Sequence, residues 1–408
     1  MSGGMPWRQA VRIAADMDAA APIRVGLHSA IGAMLAQPVA ALSDLPPVPS
    51  ADASGYAVRG IGPWTVQNSP PTGGAEGALS ARLPDGGAVP VREGDPVPPD
   101  ATACLPLSQV LIEQTAGADV VLVGDPTSGV PDRRPGMVVP GQGVTEPGRD
   151  AAAGDLLIKA GIRVTAGTIA LAAAAGVDEL MIVPPATVAP VMMGSDLLDS
   201  GPPRRGRNRD IVAPLLPSWV MGSGARCLPE IVGRDGGRAL ADQIDSLGAD
   251  LTVLTATSEP GVGQGVAEAL RCLRAEIVID RLAAHPADQV LLAELRDGRR
   301  LLALPREPAA AVVALALLLT PMMRALAGLS PARLNTVMLR EPAPVARHEQ
   351  AVALQIEVGE LADLATVLPW SGPHGLSAVG TADALGFVDP GRGTRGDSVP
   401  VISLPGHS

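Results

Sequence analysis

Three places where an apolar run ends in small, hydroxyl or charged residues hold the side chains that could handle a phosphorylated ligand. The richest is Leu251-Thr-Val-Leu-Thr-Ala-Thr-Ser-Glu-Pro-Gly-Val-Gly-Gln-Gly265. It reads as a strand entering a loop that opens a helix, and backbone N–H groups at a helix start favour phosphate. Gly261, Gly263 and Gly265 let a ligand approach the main chain closely, with Thr255, Thr257 and Ser258 beside them. No Gly-Lys-Ser/Thr follows, and the glycine spacing is not that of a dinucleotide fold. The segment is therefore an anion cradle or a plain tight turn. Met193-Gly-Ser-Asp-Leu-Leu198 sets Asp196 just past a second strand end, where capping a helix is the ordinary use of an aspartate. Arg204, Arg205, Arg207 and Arg209 follow in a Gly/Pro loop and either guide an anion or lie in solvent. Leu304-Pro-Arg-Glu-Pro308 is the third strand end, with Pro308 suited to the first position of a helix.

Other chemistries find little support. His28, His285, His348, His374 and His407 include no pair at the spacing of a helical metal site, and no Ser or Cys elbow accompanies them, which argues against triad hydrolysis. Cys104, Cys227 and Cys272 are an odd, widely spaced set. They suggest neither a disulfide framework nor zinc, and point to a reducing, cytoplasmic compartment. Only four Trp, one Tyr and one Phe are present, too few to stack single-stranded nucleic acid. A net charge of −11 removes any broad drive toward nucleic acid or acidic membrane. Lys159 is the single lysine, so the arginines reflect coding bias and each is weak as a sign of function. Asp16 and Asp18 interrupt any leader, and the apolar stretch Ala309 to Leu319 meets Thr320, Pro321 and Arg324, short of the roughly 20 residues of a spanning helix. Neither a nucleic-acid nor a membrane partner is expected.

The elements that must position these residues follow from the rhythm of the chain. The first forty residues read as helix, with Val11, Ile13, Ala14 and Met17, then, after Pro22, Leu27, Ile31, Met34 and Leu35. From Pro46 to about residue 140, short apolar runs separated by Gly and Pro clusters predict a β-rich unit with many turns. Helical texture returns between Gly148 and Gly176, with an Ala-rich helix over Thr168 to Ala175. Beyond it strands and helices alternate: strands at Val188 to Met193, Leu251 to Thr255, Ile277 to Ile279 and Leu301 to Leu304, helices at Arg238 to Leu247, Val266 to Ala275 and 309 to 326. That alternation predicts a parallel sheet with helices on both faces and ligands at the carboxyl ends of the strands. The tail returns to short strands. The expected class is multidomain α/β: a helical domain over 1–45 and 141–177, an inserted β-rich domain over 46–140, an α/β domain over 178–328, and a small β-domain over 329–408.

This order of parts resembles the MoeA and gephyrin E-domain family, the molybdopterin molybdenumtransferases, over essentially the whole chain. Leu45-Pro-Pro-Val-Pro with Gly55-Tyr-Ala-Val-Arg59 is similar to the family segment ending Ser-Ala-Met-Asp-Gly-Tyr-Ala-Val-Arg. Gly148 to Gly161 with the following Ala-rich helix resembles the return to its first domain, and Gly372 to Val388 the start of its last. The functional motifs depart from the family pattern. Ser54 stands where the family has an acid, with Asp52 two positions earlier. Thr-Gly-Asp-Glu-Leu appears as Met193-Gly-Ser-Asp-Leu197, and Ser-Gly-Gly-Val-Ser as Thr255-Ala-Thr-Ser258 with Gly261. Lys-Pro-Gly-Lys-Pro has become His285-Pro-Ala-Asp-Gln289, and Pro-Gly-Asn-Pro has become Pro305-Arg-Glu-Pro308.

The resemblance implies a central molybdopterin-binding-type α/β domain and insertion of molybdate into adenylylated molybdopterin. By the same resemblance Asp196 and Asp235 are the catalytic acids and the ligands of Mg²⁺ or a similar divalent cation. Ser54, Thr255, Thr257, Ser258, Gly261, Gly263, Pro305, Arg306 and Pro308 would contact substrate, and the protein would be a homodimer. Arg306 supplies positive charge lost with the lysines, or blocks the pocket together with Glu307. A non-catalytic relative that binds molybdopterin or a partner protein is the alternative reading, and an α/β enzyme acting on another phosphorylated ligand is a third.

Overall fold

The computed structural model describes residues 4–67, 82–115, 117–125, 130–131, 138–194, 197–204, 206–222, 224–255, 257, 260–344, 348–359, 362–370 and 376–405. Its centre is a mixed sheet in the order Arg226–Cys227, Thr187–Met192, Leu251–Leu254, Arg300–Ala303, Leu291–Glu294, Glu276–Asp280. The first four strands are parallel, and the last two run antiparallel to their neighbours. The strand over 276–280, expected in a parallel sheet, is thus an antiparallel edge. Leu291–Glu294 had no counterpart in the sequence reading, and a tight turn at Asp297 and Gly298 (φ 84°) returns it directly into Arg300–Ala303. A link that short joins only antiparallel strands.

Alternation along the two middle strands explains why both faces are covered. Leu251 and Val253 join one buried cluster with Leu302 and Leu304, while Leu254, Leu301 and Ala303 join another. A strand sends successive side chains to opposite faces, so an almost wholly apolar strand needs a helical layer on each. Gly237–Leu247 and Pro260–Leu273 cover the second cluster through Leu240, Ile244, Val266 and Leu270. Val212–Met221 and the segment Pro308–Leu326 cover the first. That last helix does not stop at Thr320. Five residues of π-helix, Leu315–Leu319, lead into Thr320–Leu326 and widen the turn ahead of Pro321, which cannot donate a backbone hydrogen bond. The result is 19 residues long, apolar enough to span a bilayer by length, and 83% buried as the core helix of this domain.

The N-terminal region departs from the helical expectation. Trp7–Ala14 is a helix, and Trp7, Ala10 and Ala14, spaced three and four apart, bury one face against the central domain. Trp7 stacks on Phe387 with ring centroids 4.6 Å apart. The buried Arg300 anchors the helix end by donating to the carbonyls of Ile13 and Asp16 while pairing with Glu294 at 3.0 Å. After it the chain is largely extended: Ile23–Gly26 and Met34–Leu35 flank Glu179–Val183 in a three-stranded sheet. A single helical turn, Leu27–Ala30, lies between them, and Gly32 takes a left-handed conformation (φ 81°). The expected Ala-rich helix is present as Ala166–Ala174, capped by reciprocal Thr165 and Thr168 bonds.

The inserted segment is β-rich as expected. Its sheet runs Val130–Pro131, Ala118–Asp125, Trp64–Val66, Gly87–Val91, Gly55–Val58, Ala103–Pro106, with Val110–Thr115 paired to Ala118–Asp125 as a hairpin. The C-terminal strands Asn335–Leu339, Leu364–Leu368, Gln350–Glu357, Ala384–Val388 and Ser398–Ser403 close into a small barrel.

Candidate functional site

The carboxyl ends of Leu251–Leu254 and Arg300–Ala303 meet at a ridge formed by Thr255, Thr257 and Leu304. Thr255 is fully buried: its amide donates to Val191, and its Oγ1 accepts from the Met193 amide at 3.4 Å. The Thr257 amide and hydroxyl both donate to the Leu304 carbonyl at 2.9 Å, stapling one strand-end loop to the next. A cavity of about 410 Å³ opens on the Thr255 side, lined by Leu197, Asn208, Arg209, Asp210, Thr255, Leu376 and the whole Pro305-Arg-Glu-Pro308 turn. On the other side a groove of about 460 Å³ carries Thr257, Gly263, Arg271, Asp280, Arg281 and Gln289.

Among the residues expected from sequence, the structure brings Thr255, Pro305, Arg306 and Pro308 together in the cavity, and Thr257 with Gly263 along the groove. Pro308 occupies the start of its helix as expected. The glycine loop is shorter than expected, because the helix begins at Pro260 and not near Val266. Only the first four N–H groups of a helix lack internal partners, so Gly265 cannot contribute its amide to an anion cradle, and the cradle reduces to the amides around Gly261 and Gly263. Glycine at 263 matters sterically: a Cβ there would come within 3.3 Å of the Thr257 carbonyl oxygen.

The remaining expected residues lie elsewhere. Asp235 is exposed, just before Gly237–Leu247. Ser54 is exposed in the inserted β-rich region, where its Oγ accepts from the Glu93 amide at 3.1 Å. Neighbouring Asp52 accepts the Thr145 hydroxyl and lies 3.9 Å from Arg149. Asp196, Ser195, Ser258, Arg205, His374 and His407 are outside the described residues. His285 exchanges main-chain hydrogen bonds with Glu349 and Ala351, tying the central domain to the barrel.

Asp210 at the cavity, and Glu230 beside it, were not singled out in sequence. Asp210 is buried and accepts from the amides of Val212 (3.0 Å) and Ala213 (3.4 Å) at the start of the Val212–Met221 helix. That use spends its charge on the positive end of the helix. Glu230 lies beside Asp210, whose carboxyl acts on it as a hydrogen-bond partner and as a charge. Partial burial, and then the bond to Asp210 and the charges of Asp210 and Asp199, push Glu230 up to about 7 against the opposing pull of Arg209. The sequence signal for Asp210 was its position before Ile211 and Val212. Nothing local linked it to Glu230.

Comparisons with known proteins accord with this geometry. The family model for the MoeA N-terminal region (domain I and II) matches residues 5–176. The chain is 27% identical over 355 residues to molybdopterin molybdenumtransferase 1 of Mycobacterium tuberculosis (strain H37Rv), covering 78% of this chain and 76% of that one. Residues 5–176 thus carry the MoeA N-terminal region, and the chain as a whole is similar to molybdopterin molybdenumtransferases. Molybdopterin molybdenumtransferase of Staphylococcus aureus (strain Mu50) is 23% identical over 345 residues, covering 79% and 76%. In three dimensions the chain superposes on the molybdopterin biosynthesis MoeA protein from Pyrococcus horikosii with a TM-score of 0.72 at 20% identity, covering 98% of this chain and 99% of that one. The fold is therefore that of MoeA from end to end, and the strand-end cavity lies in its central domain.

Proposed function

We propose that the chain acts in molybdenum cofactor biosynthesis as a molybdopterin molybdenumtransferase, with adenylylated molybdopterin and molybdate as substrates. The observation that carries this reading is the cavity at the carboxyl ends of the central strands. There Thr255, from one segment that stands for a family motif, and Pro305-Arg-Glu-Pro308, which stands for another, line the same cavity. Arg306 and Glu307 line a cavity of about 410 Å³ without filling it, which favours retained binding over a blocked pocket. The reaction needs donors that balance charge as a phosphoanhydride breaks, and buried hydroxyls and guanidinium groups supply them where water is scarce. Thr255 and Arg306 take those roles.

Magnesium does not find a ready site among the described residues, where no three His, Cys, Asp or Glu side chains gather. Asp210 is committed to helix amides, Glu230 beside it is pushed toward its neutral form, and Asp235 is exposed. Asp196 and Asp235 as cation ligands therefore rest on the resemblance alone. Homodimer formation and a cytoplasmic place of action belong to the proposal on the same footing. The test is genetic: the gene is expressed in a cell lacking its own insertase. Restored activity of a molybdenum enzyme supports the reading. Soluble protein without restoration would contradict it and favour the non-catalytic relative.

A further inference from the structure

Arg209 stands on the cavity wall by an arrangement no motif announces. Asn208–Arg209 pairs in parallel with Leu197–Leu198, which carries the arginine from its Gly/Pro loop to the strand-end cavity that Arg306 lines from the opposite loop. Its side chain is half-buried, and among the described residues no hydrogen bond or salt bridge engages it. A guanidinium carries five N–H donors in a planar fork that fits the oxygens of phosphate groups two at a time. Held at the cavity without a protein acceptor, its donors are open to the oxygens of a ligand.

The nearby acids do not provide that acceptor. Asp210 turns its carboxylate to the amides of Val212 and Ala213, and Glu230 is bonded to Asp210. Arg209 is felt at Glu230 only as a charge. Arg306 and Glu307, across the cavity, make contacts of their own. The cavity thus presents two guanidinium groups from two separate loops, and one of them has its donors in reserve.

We propose that Arg209 is an anion-recognition residue of the strand-end cavity, gripping a phosphate or diphosphate group of the substrate together with Arg306. The assignment rests on the reading of that cavity as the substrate site, and it singles out, from the arginine loop seen in the sequence, a residue that lines the cavity and that the family motifs do not supply. Inorganic pyrophosphate is the probe, titrated calorimetrically into the full-length chain at low ionic strength. Arg209→Gln weakens binding about tenfold or more, as expected for loss of a charge-assisted pair. Arg209→Lys recovers part of it, since a point charge replaces a fork. Arg24→Gln, a surface arginine paired with Glu179 on the N-terminal sheet, leaves binding unchanged.

Three results overturn the assignment: no pyrophosphate binding by the wild-type chain, an Arg209→Gln affinity within twofold of wild type, or an equal loss in Arg24→Gln. Thermal unfolding of each variant separates lost contact from lost fold, and the graded response of Arg209→Lys persists as a readout if Arg209→Gln proves unstable. The outcome is independent of the genetic test. A chain that restores the molybdenum enzyme while Arg209→Gln binds pyrophosphate normally loses only the role of Arg209. A chain that fails to restore it while Arg209→Gln loses pyrophosphate keeps the anion site and loses the assigned reaction.

Discussion

Individual side chains around the cavity decide its charge, and their protonation is measurable. Glu230 titrates near its ordinary value of 4.5 when unfolded and at about 7 in the folded chain. Between those values the folded state holds the extra proton, so a stabilising contribution complete below pH 4.5 is lost as pH rises through about 7. Glu230→Gln keeps the hydrogen bond to Asp210 and removes the charge. Its melting temperature should exceed wild type at pH 8 and match it near pH 4.5, and an equal shift at both values would remove the raised Glu230 from the account. The residue scale is also where the sequence was hardest to read. Thr255, Pro305, Arg306 and Pro308 were legible because each follows directly from a strand end or helix start. Arg209 was legible only as one of four loop arginines, and Asp210 and Glu230 not at all, because they become site residues only through the pairing of Asn208–Arg209 with Leu197–Leu198 and through the proximity of two carboxyl groups twenty positions apart in sequence.

At the scale of elements, the ridge between the two cavities depends on Thr257 joining the ends of neighbouring strands. Thr257→Val removes the hydroxyl donor to the Leu304 carbonyl but leaves the amide bond. The expected cost is about 1 kcal/mol in denaturant unfolding, with a larger fall in turnover than in substrate affinity because the loop is loosened, not removed. Unchanged stability and turnover would show that the amide alone holds the ridge. The core helix offers a contrast: Leu317 is fully buried, and Leu317→Ala should cost about 2–5 kcal/mol. Most elements were legible in outline, since the central strands read as short apolar runs and the helices as longer amphipathic ones. The misreadings share a cause. Glycines at 261, 263 and 265 argue against helix locally, yet packing of Val266 and Leu270 on the sheet carries the helix back to Pro260. Ile23–Gly26 becomes a strand only because Glu179–Val183, far along the chain, pairs with it.

For the whole molecule, the fold of MoeA extends from Trp7, packed under the barrel residue Phe387, to the last barrel strand Ser398–Ser403. The inserted β-rich region carries Ser54, which the resemblance assigns to substrate, with Asp52 two positions earlier, and neither lines the strand-end cavity of the same chain. Those residues would serve a cavity only if a second copy presented them, so a homodimer is expected. Sedimentation of the purified protein at micromolar concentration should give the mass of two chains of 41.3 kDa, and a stable monomer would leave Ser54 without a role at the site. The central claim, that this chain inserts molybdenum, is tested most directly in a purified system. Adenylylated molybdopterin, molybdate and a divalent cation are incubated with the protein, and the product is offered to a cofactor-free molybdenum enzyme. The account predicts molybdate-dependent AMP release together with recovered activity of the acceptor enzyme, and substrate that is bound but left intact, with the acceptor inactive, would contradict it.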